Sequence, residues 1–215
     1  MVFKNRCLLV LFILVVNGVC RAMPKLLLTV YYESNCPDSK SFILQQLRPA
    51  MRLLHGHVRT RFVPFGKAMS IDYGFGGFEC QHGQRECYGN MVQDCTLNLM
   101  QGRTDQERLE YVACEMDSEA ASKYSLECVA QAQVRPEKVQ HCVEFGKGTM
   151  LQIDSEYLTS LVAPKFIPTI TIDNVFDQHV QDAAQVDLIG TLCTFLMHST
   201  ACAQHYNRLA WQYIF

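Results

Sequence analysis

No Cys-x-x-Cys pair occurs in this chain of 215 residues, although it carries eleven cysteines. Beyond residue 22 no segment approaches the roughly 20 consecutive apolar residues a spanning helix needs, which excludes a membrane-spanning helix there. Charge of one sign is also scarce. The 19 Lys and Arg nearly balance 21 Asp and Glu for a net −2, and no basic run stands out. Nucleic acid and anionic membrane surfaces are therefore poor candidates as partners. The histidines are scattered, with no Ser-His-Asp grouping recognisable by spacing. No Asn-x-Ser/Thr acceptor occurs either, so sorting through an N-linked glycan is not open to this chain, which favours secretion over lysosomal delivery.

What is present begins with an export segment. Lys4 and Arg6 precede the apolar run CLLVLFILVV, and Cys20-Arg21-Ala22 fits cleavage after Ala22. Residues 1–22 are thus expected to be a signal peptide, and residues 23–215 the working domain. Losing Lys4, Arg6 and Arg21 takes the net charge from −2 to −5. About 190 residues are enough for a sizeable core, or for a small domain carrying an insertion.

Nine cysteines remain in that domain: Cys36, Cys80, Cys87, Cys95, Cys114, Cys128, Cys142, Cys193 and Cys202. In an oxidising compartment an odd number leaves one thiol without an internal partner, and position singles out Cys36. The other eight could form four bridges in any of 105 connectivities.

Leu26 to Tyr32 reads as a buried strand, Pro37 to about Leu54 as a helix that Pro49 should kink or end early, and His57 to Ala68 as a second strand. Strand, crossover helix and strand form a βαβ unit with a parallel pair. From about 70 to 155 the texture changes. The piece IDYGFGGFECQHGQRECYGN is Gly-rich and loop-like, and VQDCTLNLMQG and TDQERLEYVACEMDS show helical spacing. Six of the nine cysteines fall there, which predicts a helical insertion stapled by disulfides. Lys165 to Asn174 returns to strand character, with a hairpin signal at Asp173-Asn174. The closing DAAQVDLIGTLCTFLMHS sets Val186, Ile189, Cys193 and Leu196 on one helical face. The expected class is α/β.

In the segment YYESNCPDSKSF a strand gives way to a helix just after Cys36. A helix N-terminus offers unpaired N–H groups and the positive end of the macrodipole to a thiolate. Bringing a thiol from about 8.5 to about 5 takes roughly 5 kcal/mol, whereas a helix end supplies about 0.3–2, so hydrogen bonds must add the rest. The Ser39 hydroxyl is expected to donate one to the Cys36 sulfur, while Asp38 opposes a second negative charge. A structural buried thiol is the other reading, and the exposed turn before Pro37 favours the reactive one. His82 with Cys80, Cys87 and Cys95 resembles a crude zinc list, but export favours bridges over metal, so no metal is expected.

The block CQHGQRECYGNMVQDC, Cys80 to Cys95, resembles the signature of the gamma-interferon-inducible lysosomal thiol reductase family within the thioredoxin superfamily: Cys80, Gln81, His82, Gly83, Glu86, Cys87, Asn90 and Cys95 match. The resemblance covers nearly all of residues 23–215 and implies a thioredoxin-like fold. It also implies a cis-proline opposite the reactive cysteine, which falls on Ile167-Pro168 as the substrate groove; a trans proline opening a strand is the alternative. The family carries Cys-x-x-Cys after the first strand. This chain carries Cys36-Pro37-Asp38-Ser39, keeping the attacking cysteine without the resolving one.

The expected activity is therefore thiol-disulfide exchange by Cys36 on a disulfide-containing protein or peptide, with no bound cofactor and with glutathione or cysteine as external reductant. Two rivals share the fold: a secreted binding protein that lost turnover, and an exported protein that pairs covalently with its partner.

Overall fold

The structure, a computed structural model, describes residues 24–197 and 199–212. The expected signal peptide lies outside them. Strand β1 (Leu26–Tyr32) is nearly all aliphatic and aromatic and is buried on both faces, as the central strand of a sheet covered on both sides must be. It pairs in parallel with β2 (Val58–Pro64), Leu26 facing Val58 and Tyr32 facing Pro64. On its other side it pairs antiparallel with β5 (Thr169–Ile172). The sheet order is β2-β1-β5. Edge strand β2 turns Arg59 and Arg61 to solvent, and charge there discourages pairing with another chain.

The crossover from β1 to β2 is helical throughout: α1 (Pro37–Ser41), a π-helical stretch Phe42–Leu47, and α2 (Arg48–Leu54). Pro49 does not end the helix. A proline ring collides with the carbonyl four residues earlier, and the wider π turn absorbs the conflict: the Arg48 N–H reaches back five residues to the Ile43 carbonyl. Phe42, Ile43, Leu47, Ala50, Met51 and Leu54 all face the core.

Between β2 and β5 come a two-stranded hairpin, β3 (Met69–Ser70) with β4 (Phe78–Glu79), and five helices: α3 (Gln84–Leu99), α4 (Asp105–Ser118), α5 (Glu127–Gln131), α6 (Pro136–Glu144) and α7 (Lys147–Val162). Helical order thus runs past residue 155 to Val162. It also begins within the stretch expected to be loop, at Gln84, because Gly83 adopts φ +81 and turns the chain into α3. Bridges Cys80–Cys87, Cys95–Cys142 and Cys114–Cys128 tie this block, and Cys193–Cys202 ties the C-terminal helices.

Two expectations near the C-terminal end fail. Asp173 and Asn174 do turn with positive φ, but the returning strand shrinks to a single bridge between Ile172 and Val175 before α8 (Gln178–Val186) begins. The closing segment is two helices rather than one, α8 and α9 (Leu188–Phe195), followed by α10 (Thr200–Gln212). Asp187 breaks the continuity: its carboxylate accepts the Gly190 N–H at 2.9 Å and caps α9. Val186 consequently points into solvent, 80% exposed, off the face it was expected to share.

Candidate active site

Cys36 is the N-cap of α1, with extended backbone (φ −74, ψ 122) and Pro37 at the first helical position. Its Sγ accepts the Ser39 backbone N–H at 3.4 Å, an orphan donor of the first turn. On the other side the thiol faces the Ile167 carbonyl oxygen at 3.9 Å. The Ile167-Pro168 peptide bond is cis. The other eight cysteines after residue 23 are bridged, and Cys36 is the free thiol among the described residues.

Two details differ from the sequence reading. The turn is not exposed: Cys36 is 7% accessible, covered by the Ile167 side of the loop before β5. The Ser39 hydroxyl does not bond the sulfur; it accepts the Glu33 backbone N–H at 3.4 Å. At this position of a helix the amide points toward the N-cap while the fully buried side chain points back toward the end of β1.

Ile167, whose carbonyl faces the thiol, also lines a groove of about 310 Å³ together with Asp38, Phe42, Gln45, Phe166 and Pro168. Larger hollows lie along α4 and α6, away from the Ile167-Pro168 loop. Gln181 and Gln185 of α8, which the sequence reading passed over, brace the groove from behind. Both side-chain amides donate to the Pro168 carbonyl, at 3.1 and 3.3 Å, and the Gln181 carbonyl oxygen accepts the Ile170 N–H at 2.8 Å. Their i, i+4 spacing on one helix was the available signal.

The signature residues gather on the far side of the turn that precedes Cys36. The Asn90 Oδ1 accepts the Ser34 N–H at 2.9 Å, and the Ser34 hydroxyl donates to the Glu86 carbonyl at 3.0 Å. His82 lies between two fully buried carboxylates, with Nδ1 2.5 Å from Glu86 and 3.6 Å from Glu33. Glu33 also accepts the Lys67 N–H at 2.7 Å. Gln81, its amide oriented so that nitrogen faces the carboxylate, donates to both Glu33 oxygens at 3.1 and 3.3 Å. Burial pushes the Glu33 carboxyl up and nearby Glu86 adds to that, while the Lys67 N–H and His82 pull the other way. Gly83 supplies the turn into α3, and the Cys80–Cys87 bridge closes the loop that carries His82. The zinc set weighed from sequence is dismantled, because Cys80, Cys87 and Cys95 are bridged and offer no thiolate.

A parallel βαβ unit, a thiol at the N-terminus of its crossover helix and a cis-proline loop against the sulfur define the thioredoxin-like class of thiol-disulfide oxidoreductases. Solved structures agree on the fold. DsbA from Chlamydia trachomatis superposes with a TM-score of 0.52 at 15% identity, over 80% of this chain and 85% of that one. Reduced DsbA from Mycobacterium tuberculosis gives 0.50 at 14%, over 84% and 89%.

Within that class, the profile of the gamma interferon inducible lysosomal thiol reductase (GILT) family matches residues 27–132. GILT-like protein 1 of Drosophila melanogaster is 32% identical over 199 residues, 84% of this chain and 80% of its own length. The gamma-interferon-inducible lysosomal thiol reductase of Carassius auratus is 28% identical over 183 residues, 82% and 71% of the two chains. The chain belongs to the GILT family.

Proposed function

We propose that the protein is a monothiol member of its family, in which Cys36 attacks a substrate disulfide and an external small thiol completes the reduction. The observation that carries this is the Cys36 sulfur, unbridged and held between the Ser39 N–H and the Ile167 carbonyl, with Ser39 where a resolving cysteine would stand. In the first step the thiolate attacks one sulfur of the substrate disulfide. A mixed disulfide with Cys36 forms and the second substrate sulfur leaves as a thiolate, which takes up a proton. A small thiol such as glutathione or cysteine then attacks the Cys36 sulfur and frees the second substrate thiol. A further small thiol regenerates Cys36. Two small thiols are oxidised to one disulfide for each substrate disulfide reduced.

The 7% accessibility of Cys36 favours a second reading, a secreted binding protein with the same groove and no turnover. Delivery to a lysosome or to the extracellular space would serve either. A single experiment separates them: incubation with a disulfide-linked peptide, with and without glutathione, followed by intact mass and thiol release. The enzyme gives an adduct on Cys36 that glutathione resolves with turnover, and Cys36→Ser gives none. Absence of adduct, or an adduct that glutathione leaves in place, would sink the reductase reading.

A further inference from the structure

A thiol at a helix N-terminus is only as well placed as the turn that delivers it. In the turn from Glu33 to Cys36, the Cys36 N–H donates to the Glu33 carbonyl at 3.3 Å, and the Glu33 N–H is taken by the Ser39 hydroxyl. Ser39 thus closes a small ring: its hydroxyl fixes the start of the turn and its amide contacts the sulfur at the end. The Glu33 side chain ties the start of that turn to the Lys67 N–H at 2.7 Å, but Ser34, between Glu33 and Asn35, has only a short side chain, so the middle of the turn needs an anchor of its own.

That anchor comes from α3, more than fifty residues away in sequence. Asn90 takes the Ser34 N–H and the Glu86 backbone takes its hydroxyl, with Ser34 only 2% exposed. The approach is close enough that a Cβ on Gly89 would collide with the Ser34 and Ser122 hydroxyls. The same helix sends the Glu86 carboxylate back to His82, which also faces Glu33. Gly66, at φ +60, leaves room for the Glu33 side chain to reach the Lys67 N–H.

We propose that Asn90 and Glu86, with His82 bracing Glu33, are positioning residues for Cys36: they clamp the Glu33–Asn35 turn and so hold the sulfur on the Ser39 N–H without touching it. The inference rests on Cys36 being the reactive thiol of the proposed function. It gives signature residues outside the cysteine motif a physical task. The contacts from Asn90 and Glu86 are made to Ser34 and not to position 39, so they would serve a dithiol or a monothiol site.

The test is the alkylation rate of Cys36 by iodoacetamide at pH 5 divided by that at pH 9, in protein shown to be folded by circular dichroism. The ratio cancels changes in access and reports how far the surroundings stabilise the thiolate. Ionisable groups around the turn are Glu33, Asp38, Lys67, His82 and Glu86, and all are kept in the variants. Asn90→Ala should lower the ratio about tenfold, equivalent to about 1.4 kcal/mol. Ser34→Ala, which removes only the hydroxyl contact, should lower it about threefold and serves if Asn90→Ala does not fold. Leu109→Ala, a fully buried change in α4, should lower the melting temperature and leave the ratio alone. An unchanged ratio in the folded clamp variants, or an equal change in Leu109→Ala, would overturn the clamp while leaving Cys36 as nucleophile. A parent protein whose Cys36 is not alkylated at either pH would overturn both.

Discussion

Ser39 divides its polar groups between two partners, and that division fixes what a cysteine in its place would do. As Ser39→Cys, the backbone N–H would still reach the Cys36 sulfur, and a second thiol would stand on the first helical turn, able to resolve a mixed disulfide internally. The Glu33 N–H, however, would lose an oxygen acceptor in a fully buried place, a loss of about 1 kcal/mol since sulfur accepts weakly. Ser39→Cys should therefore raise turnover where external thiol is scarce and lower folding stability slightly. Turnover at limiting glutathione and a urea melt measure the two effects; turnover no higher than the parent's would mean the geometry at position 39 does not reach the mixed disulfide. The position of Cys36 after a strand and before a proline is readable in the sequence because it depends on neighbours. The partners of Glu33 and Ser34 are not, because Lys67, Glu86 and Asn90 lie 34 or more residues away and nothing local points to them.

Elements show the same division between local and distant causes. Strand β1 and the helix from Pro37 were legible from an unbroken apolar run and from Pro at a helix start. The helix passing through Pro49 was not, because rules for a proline in an α-helix do not anticipate a π turn that gives the ring room. The break at Asp187 was hidden by an apolar periodicity that runs across it, although Asp three residues before Gly190 is a capping signal in retrospect. The bridges could be counted from sequence but not paired. Their pairing matters for stability, because Cys95–Cys142 closes 47 residues between α3 and α6 and Cys80–Cys87 closes only 7. On the chain-entropy account the longer loop contributes about 4 kcal/mol and the shorter about 2.5. The double variant Cys95→Ala/Cys142→Ala should thus lose more stability in urea than Cys80→Ala/Cys87→Ala. The reverse order would show that the short bridge matters through native contacts and not through the unfolded chain.

At the scale of the whole molecule, the fold buries carboxylates that no cation neutralises. Asp94, on the buried polar side of α3, accepts the Gln152 amide at 2.6 Å and the Ser155 hydroxyl at 2.8 Å, and burial nevertheless pushes its carboxyl up to about 8. Burial likewise raises Glu115 to about 7, against the pull of the Ala121 N–H. Neither is paired with a lysine or arginine among the described residues. Each such group keeps its proton in the folded protein between about pH 4 and its raised value, while the unfolded chain releases it. Unfolding in that window therefore releases protons, and stability falls as pH rises from about 4 toward 8. Glu107 is of the opposite kind: hydrogen bonds from Arg103 and Thr104 hold it down at about 2, and its support, small because solvent screens this exposed pair, fades as pH drops below about 4.5. The melting temperature should accordingly be highest between about pH 4.5 and 6 and lower at 7.5. Asp94→Asn keeps an acceptor oxygen and has no proton to lose, so it should flatten the fall between pH 6 and 7.5 and leave the acid limb as it was. Calorimetry of both proteins across pH 4 to 8 decides it. A parent more stable at 7.5 than at 5 would remove the buried carboxyls as the cause, and a variant with the parent's slope would shift that role from Asp94 to Glu115.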